Sequence, residues 1–253
     1  MQPFGGEGLS GTGPKAGGPH YLLQLSRKSD SSVPSNRNSG SSVIGKQAAV
    51  SSETMIAIEL ASKASAVWAK SMPAAERPKV LEVEFRPLMN DGDDKFWSRL
   101  NCETNIILPG PTGESNILRL HPRGVIVCAG DKSAVLKQAA MALYAGNSAI
   151  ALPASGADEI KALSKALSEK TKVANLLQVL DPITLSALAG APINGLAADG
   201  PRRAFIGPIF RKREGAILPV LSQNSDPERF FHERTVTINT TAAGGNATLL
   251  TLS

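Results

Sequence analysis

Apolar residues fall along this chain in three rhythms, and each predicts a different element. In SETMIAIELASKASAVWAKSM, Ile56, Leu60, Val67 and Trp68 recur near helical spacing. Ser51 or Ser52 can cap the start, Glu53 lies in the first turn and Pro73 stops the run, so one long helix is predicted. RGVIVCAG (Arg123 to Gly130) and SAIALPA (from Ser148) are instead unbroken and β-rich, and between them DKSAVLKQAAMALYAG opens on a capping Asp131 and closes on Gly146. Strand, helix and strand in that order make a βαβ unit, whose parallel strands are buried on both faces and therefore need not alternate. A further helix is predicted in GADEIKALSKALSEK, with Ile160, Leu163 and Leu167 on one face; short apolar stretches follow around Leu176, Ile193, Phe205 and Leu218. The third rhythm is alternation. RTVTIN (Arg234 to Asn239) sets Val236 and Ile238 on one face, and NATLLTL can return as a second strand after TAAGG, where Gly244 and Gly245 permit positive φ. A two-stranded hairpin is marginal alone in water, so this tail is expected to dock as a strand added to another sheet.

The rest of the chain is punctuation around these elements. HYLLQLS (His20 to Ser26) suits a short strand, RPKVLEVEF (Arg77 to Phe85) a second short element, and NDGDDK a solvated turn. SDSSVPSNRNSGSS is almost wholly small and polar, cannot offset the entropy lost on ordering, and reads as a linker. It isolates an N-terminal piece that opens on PFGGEGLSGTGPKAGG, too short to fold alone and dense in the glycine that lets a backbone approach a ligand or another chain closely.

Composition narrows the classes. With 253 residues and 42% hydrophobic content, the chain can bury a sizeable core. Lys and Arg number 27 against 22 Asp and Glu, a mild basic bias. No apolar run is long enough for a membrane span and the N-terminus lacks signal-peptide regions, so a cytoplasmic location is expected. Cys102 and Cys128 are too far apart for a CxxC motif, and Cys128 inside GVIVCAG is expected to be a buried free thiol.

Several apparent motifs fail on context. Asp91, Asp93 and Asp94 lack the glycine and terminal glutamate of a calcium loop. GTGPKA (Gly11 to Ala16) fits GxGxxA, but no strand precedes it and Gly17, Gly18 and Pro19 preclude a helix after it. GPTGES lacks the lysine of a phosphate loop, and His20, His121 and His232 are too scattered in sequence for a zinc site. Arg202, Arg203, Arg211, Lys212 and Arg213 form the densest basic stretch. With aromatics at only 4% and no DNA-binding helix pattern, a solvated face or contact with acidic segments is expected rather than nucleic acid.

The opening PFGG…SGTG.KAGGP.YL resembles the C-terminal signature of glutamate-semialdehyde (pyrroline-5-carboxylate) dehydrogenases. GPTGESNILRLHPRG and ERTVTINTTAAGGNATLLTLS resemble the last part of long proline utilization A proteins, in which a proline dehydrogenase and an aldehyde dehydrogenase share one polypeptide. The resemblance covers nearly the whole chain. It implies a C-terminal fragment: residues 1–28 as the tail of the catalytic aldehyde dehydrogenase, 29–47 as a flexible linker, 48–232 as an aldehyde-dehydrogenase-like accessory domain and 233–253 as a tail motif. The fold expected is α/β, a Rossmann-like mostly parallel sheet in a truncated aldehyde-dehydrogenase-superfamily fold, with a C-terminal hairpin or extended tail.

Further implications follow residue by residue. Phe4, Gly5 and Gly6 would contribute to the substrate pocket of the parent. Glu233, Arg234, Asn239, Gly244, Gly245 and Asn246 would belong to a tail that seals the tunnel carrying the semialdehyde. The family's catalytic cysteine and glutamate have no counterpart here, so no catalytic residue and no metal ligand is expected in this chain. The parent would use NAD and FAD, and the partners would be the upstream dehydrogenase domains, with a homo-oligomer possible through the parent. PRGVIVCAGD…AAMALYAGNSAIALPAS is similar to the family's dinucleotide-binding region, with departures at the chemistry. Asp131 stands in place of the asparagine that steadies an oxyanion, and Leu152 in place of the lysine that holds the adenosine ribose, while Gly146 and Asn147, which serve the fold, remain. The expectation is a noncatalytic module that binds no cofactor. The alternative is a stand-alone protein binding a nucleotide or small acid at the strand ends near Gly130 and Pro153.

Overall fold

The computed structural model describes residues 2–25, 50–89, 94–180, 187–200, 202–203, 206, 210 and 213–239. Its centre is a five-stranded parallel sheet in the order β5-β4-β3-β6-β7, formed by β3 (Val125–Gly130), β4 (Ser148–Pro153), β5 (Leu177–Val179), β6 (Gly195–Ala198) and β7 (Val220–Leu221). The expected βαβ unit is β3, then α5 (Lys132–Tyr144), then β4. Asp131 Oδ1 caps α5 by accepting from the Ala134 amide at 2.7 Å. The unbroken apolar strands are buried on both faces. Ile126, Cys128, Ala149 and Ala151 face a core shared with α5 and α6 (Ala157–Thr171), whereas Val125, Val127, Ile150 and Leu152 face Ile58, Ala61 and Leu188 on the other side.

The predicted long helix is α2 (Ser52–Ser71), capped by Ser51, whose Oγ accepts from the Thr54 amide at 3.2 Å. Arg77–Phe85 is a second helix, α3, packed on α5. The C-terminal end of α5 is tied down by side chains from α2 and α3. Trp68 Nε1 donates to the Leu143 carbonyl at 2.7 Å, Arg77 Nη1 to the Tyr144 carbonyl at 2.9 Å, and Ser65 Oγ to the Gly146 carbonyl at 3.1 Å. Helix-end carbonyls need such partners, and a buried cation there also meets the negative end of the helix dipole. Burial lowers the Arg77 guanidinium to about 10. Gly146 has φ +84°, and a Cβ there would sit 3.0 Å from Arg77 Nη1, so this turn needs glycine for both conformation and space.

A second sheet joins residues far apart in the chain. β1 (Asn105–Leu108), β2 (Glu114–Pro122) and β8 (Phe231–Asn239) pair antiparallel in that order. β8 contains the alternating RTVTIN and docks on β2, as an added strand should; the proposed return strand in NATLLTL lies outside the described residues. The hairpin of β1 and β2 is a feature beyond the expectations from sequence. HYLLQLS corrects an expectation: Tyr21–Leu25 is a short helix, α1, not a strand. A strand needs a neighbouring edge for its amides, whereas a helical turn satisfies its own, and Leu22 and Leu23 here face solvent. The linker expected over 29–47 falls wholly on residues outside those described, as do Asp91 and Asp93. Asp94 begins a short helix, α4 (Asp94–Trp97), and accepts from Arg86 Nη1 at 2.8 Å.

Candidate functional site

The glycine-dense segment folds into a narrow double turn. Phe4 and Ala16 exchange backbone hydrogen bonds at 2.9 and 2.8 Å, and the Gly8 amide donates to the Gly11 carbonyl at 2.8 Å. Gly13, at φ +70°, leaves no room for a Cβ beside the Glu7 carboxylate. The turn is held against β8 by one carboxylate. Glu233, 4% exposed, accepts from the Lys15 amide at 2.6 Å and pairs with His20 Nδ1 at 2.7 Å. Thr235 Oγ1 adds a bond to the Pro3 carbonyl at 3.2 Å.

Arg123, just before β3, fastens the other side. Its Nε donates to the Arg229 carbonyl at 3.1 Å and its Nη2 to the Thr12 carbonyl at 3.2 Å; the buried Glu7 carboxylate lies 3.8 Å from Nη2 and in contact with His232 Nδ1. Burial, aided by the charge of Arg229, lowers the Arg123 guanidinium to about 10, with Glu233 opposing. Burial and Arg234 hold the His232 imidazole below its ordinary value. Beside these groups a cleft of about 280 Å³ opens between Glu7, Arg123, Asn194, Ile217, His232 and Arg234. Glu233→Ala leaves the Lys15 amide and His20 without their acceptor, a local loss of about 2–3 kcal/mol. In that variant amide hydrogen exchange over residues 3–20 is expected to quicken roughly 30-fold or more, while β3 and β4 stay protected.

At the carboxyl ends of β3 and β6, in the region where ligands bind in open α/β sheets, the described residues bond to one another. Gly130 and Pro153 stand side by side in register, and the Asp199 amide donates to the Ala129 carbonyl at 3.2 Å. Asp199 Oδ1 accepts from the Arg202 amide at 3.1 Å, and Asp199 Oδ2 accepts from the Asp131 amide at 3.3 Å and pairs with the Arg202 guanidinium. A Cβ at Gly130 would lie 3.1 Å from Asp199 Oδ2. Asp131 spends its side chain on capping α5, and Leu152 is buried in the core. Arg213 caps backbone as well, donating to the Ala189 and Ala191 carbonyls at 2.9 and 2.6 Å; Arg211 and Lys212 lie outside the described residues.

Neither thiol is poised for attack. Cys128 is sealed in the sheet, where burial pushes its thiol up. Burial and the nearby Glu228 raise Cys102 to about 12, and its amide donates to Tyr144 Oη at 2.6 Å. Of the residues the sequence singles out, Glu233 joins the N-terminal turn. Phe4 is 84% exposed, with Gly5 and Gly6 beside it, and pairs through its backbone with Ala16; Arg234 and Asn239 are exposed on β8. Gly244, Gly245 and Asn246 lie outside the described residues. Glu7, Lys15, Arg123 and His232 carry no local sequence signal, because their partners are distant in the chain: 218 positions separate Lys15 from Glu233.

No known sequence-family profile matches the chain. It is 32% identical over 264 aligned positions to the bifunctional protein PutA of Escherichia coli (strain K12) and 30% identical to that of Rhizobium meliloti, each alignment covering the whole of this chain. The chain spans 18% of the length of these curated relatives. Among solved structures it superimposes on proline utilization A (PutA) with proline bound in remote sites, with a TM-score of 0.53 and 23% identity over 68% of this chain and 22% of that one. An NAD-dependent benzaldehyde dehydrogenase from Corynebacterium glutamicum gives 0.51 and 18%, over 65% of this chain and 44% of that one. About two thirds of the chain shares the fold of a part of these proteins.

Proposed function

We propose that this chain, related over its whole length to a segment of the bifunctional PutA proteins, is a noncatalytic module of a proline-oxidising enzyme. Its sheet serves as scaffold and its C-terminal strand as part of the cover over the path between two active sites. The enzyme as a whole would oxidise proline with FAD and then glutamate semialdehyde with NAD, in domains upstream of this one. The observation that carries the noncatalytic reading is the bonding of Asp199 to Arg202 and to the Asp131 amide at the ends of β3 and β6. A dinucleotide pyrophosphate would have to meet the Asp131 and Asp199 carboxylates, displace Arg202 from Asp199, and find Leu152 where a ribose needs a donor. The covering role draws support from the clasp at Glu233. Residues 3–18, resembling the end of the catalytic domain, are pinned there to the strand that opens the tail motif.

Calorimetric titration of the chain with NAD is expected to give no binding heat. A micromolar dissociation constant would overturn the noncatalytic reading and favour a stand-alone nucleotide-binding protein. The covering role is tested separately, in a PutA polypeptide carrying this segment, by removing residues 233–253. Coupled conversion of proline to glutamate should then develop a lag while proline dehydrogenation alone is unchanged, and an unaltered coupled time course would refute the role.

A further inference from the structure

Helix α2 carries two apolar faces, and the fold uses one. Ala57, Ile58, Ala61, Ala64, Ser65 and Trp68 are buried against the sheet and α5. The outer shoulder carries a second series, Glu53, Ile56, Leu60, Lys63, Val67 and Lys70, spaced alternately three and four residues apart. That is the spacing of a coiled-coil seam. Its apolar members lie open: Ile56 is 58%, Leu60 38% and Val67 54% exposed. Ala66, flanking the seam, is small enough to admit a second helix closely.

We propose that this seam pairs with the α2 seam of a second copy of the chain, the two helices running antiparallel. The charges choose the direction. A parallel pair would stack Glu53 on Glu53, Lys63 on Lys63 and Lys70 on Lys70, each like-charged. Around a twofold axis between Ala61 and Ser62, Glu53 instead meets the partner's Lys70 at both ends, and Ile56 meets the partner's Val67 in the next layer inward. At the centre Leu60 lies under the aliphatic stem of the partner's Lys63. That lysine's ammonium is already paired with Glu59 of its own helix at 2.7 Å, which limits repulsion across the axis. A helix of this length gives about 30 Å of contact. One helix pair lies at or below the roughly 1,200 Å² that marks the small end of specific interfaces, so the complex should be reversible, with a dissociation constant on the order of 10–100 μM. The contact is independent of the role proposed above, since it involves neither β8 nor the strand ends.

Sedimentation velocity on the 253-residue chain at rising concentration tests this directly. A monomer–dimer equilibrium is expected, weakened about tenfold or more by Glu53→Lys or by Lys70→Glu alone and restored when both are combined. Only a pairing that brings these two residues together predicts the restoration. Circular dichroism on each variant confirms that the fold is kept, both positions being exposed. As an independent check of direction, Ile56→Cys and Val67→Cys chains should form a disulfide with each other on mild oxidation, and neither with itself. A chain that stays monomeric throughout, a double variant as weak as the singles, or an Ile56→Cys chain that crosslinks to itself would overturn the proposal.

Discussion

Replacing Asn147 by alanine is expected to cost about 3–5 kcal/mol of stability, a large share of the 5–15 kcal/mol typical of a folded domain. The side chain is fully buried and engages three backbone groups at once. Its Oδ1 accepts from the Arg123 amide at 2.6 Å and the Gly124 amide at 2.9 Å, and its Nδ2 donates to the Phe230 carbonyl at 3.0 Å. Those groups belong to the approach to β3 and to the residue before β8, so one amide side chain joins the parallel sheet to the antiparallel one. Alanine leaves all three unpaired where the bond from Nδ2 is buried, and each orphaned group costs about 1–3 kcal/mol. Urea unfolding followed by circular dichroism measures the loss. Asn147→Asp keeps the acceptor but removes the donor and buries a charge, so it should be no milder. A loss under about 1 kcal/mol for the alanine variant would mean that water takes over the three bonds.

Trp68→Ala should be comparably severe, about 3–5 kcal/mol. The indole is fully buried, its Nε1 serves the Leu143 carbonyl at the end of α5, and the Arg77 guanidinium lies 5.7 Å above its ring. Alanine opens a cavity between α2 and α5 and removes the surface on which Arg77 rests. The guanidinium that serves the Tyr144 and Ala69 carbonyls then loses its support. Trp68→Phe refills most of the volume but not the hydrogen bond, and should cost about 1–2 kcal/mol. Denaturant midpoints with an unchanged slope would attribute the difference to stability alone. Equal losses in the two variants would show that the hydrogen bond, rather than the packing, dominates.

What the sequence reveals follows from how local each cause is. VIVCAG and SAIALP are apolar but for Ser148 because both faces of their strands are covered, and the helix between them announces its own cap; one window of the chain suffices to read that unit. The β1–β2 hairpin carried a signal in NILRLHP, whose residues alternate between the core and solvent, but that segment was read as a family motif. In HYLLQLS composition pointed to a strand, and the missing information was whether any edge lay nearby. The clasp at Glu233 is the opposite extreme. A glutamate, a histidine and a lysine amide have no spacing rule when the fold brings them together from the two ends of the chain. Glu233 was singled out as part of a tail motif, but its partners come only from the three-dimensional arrangement. Asp131 is legible both as a helix cap and as a departure from a catalytic pattern, and in the structure it caps α5.

The pairing of β8 with β2 has a consequence for biogenesis. Once residues up to 230 have emerged from the ribosome, the described parallel strands are all outside, yet β2 still offers an open edge and the N-terminal turn, though held by Arg123, lacks its clasp at Glu233. Both deficits end together when β8 emerges. Until then the nascent chain bears an unprotected strand edge, the feature most prone to pairing with a neighbour, and chaperone occupancy should be greatest over that interval.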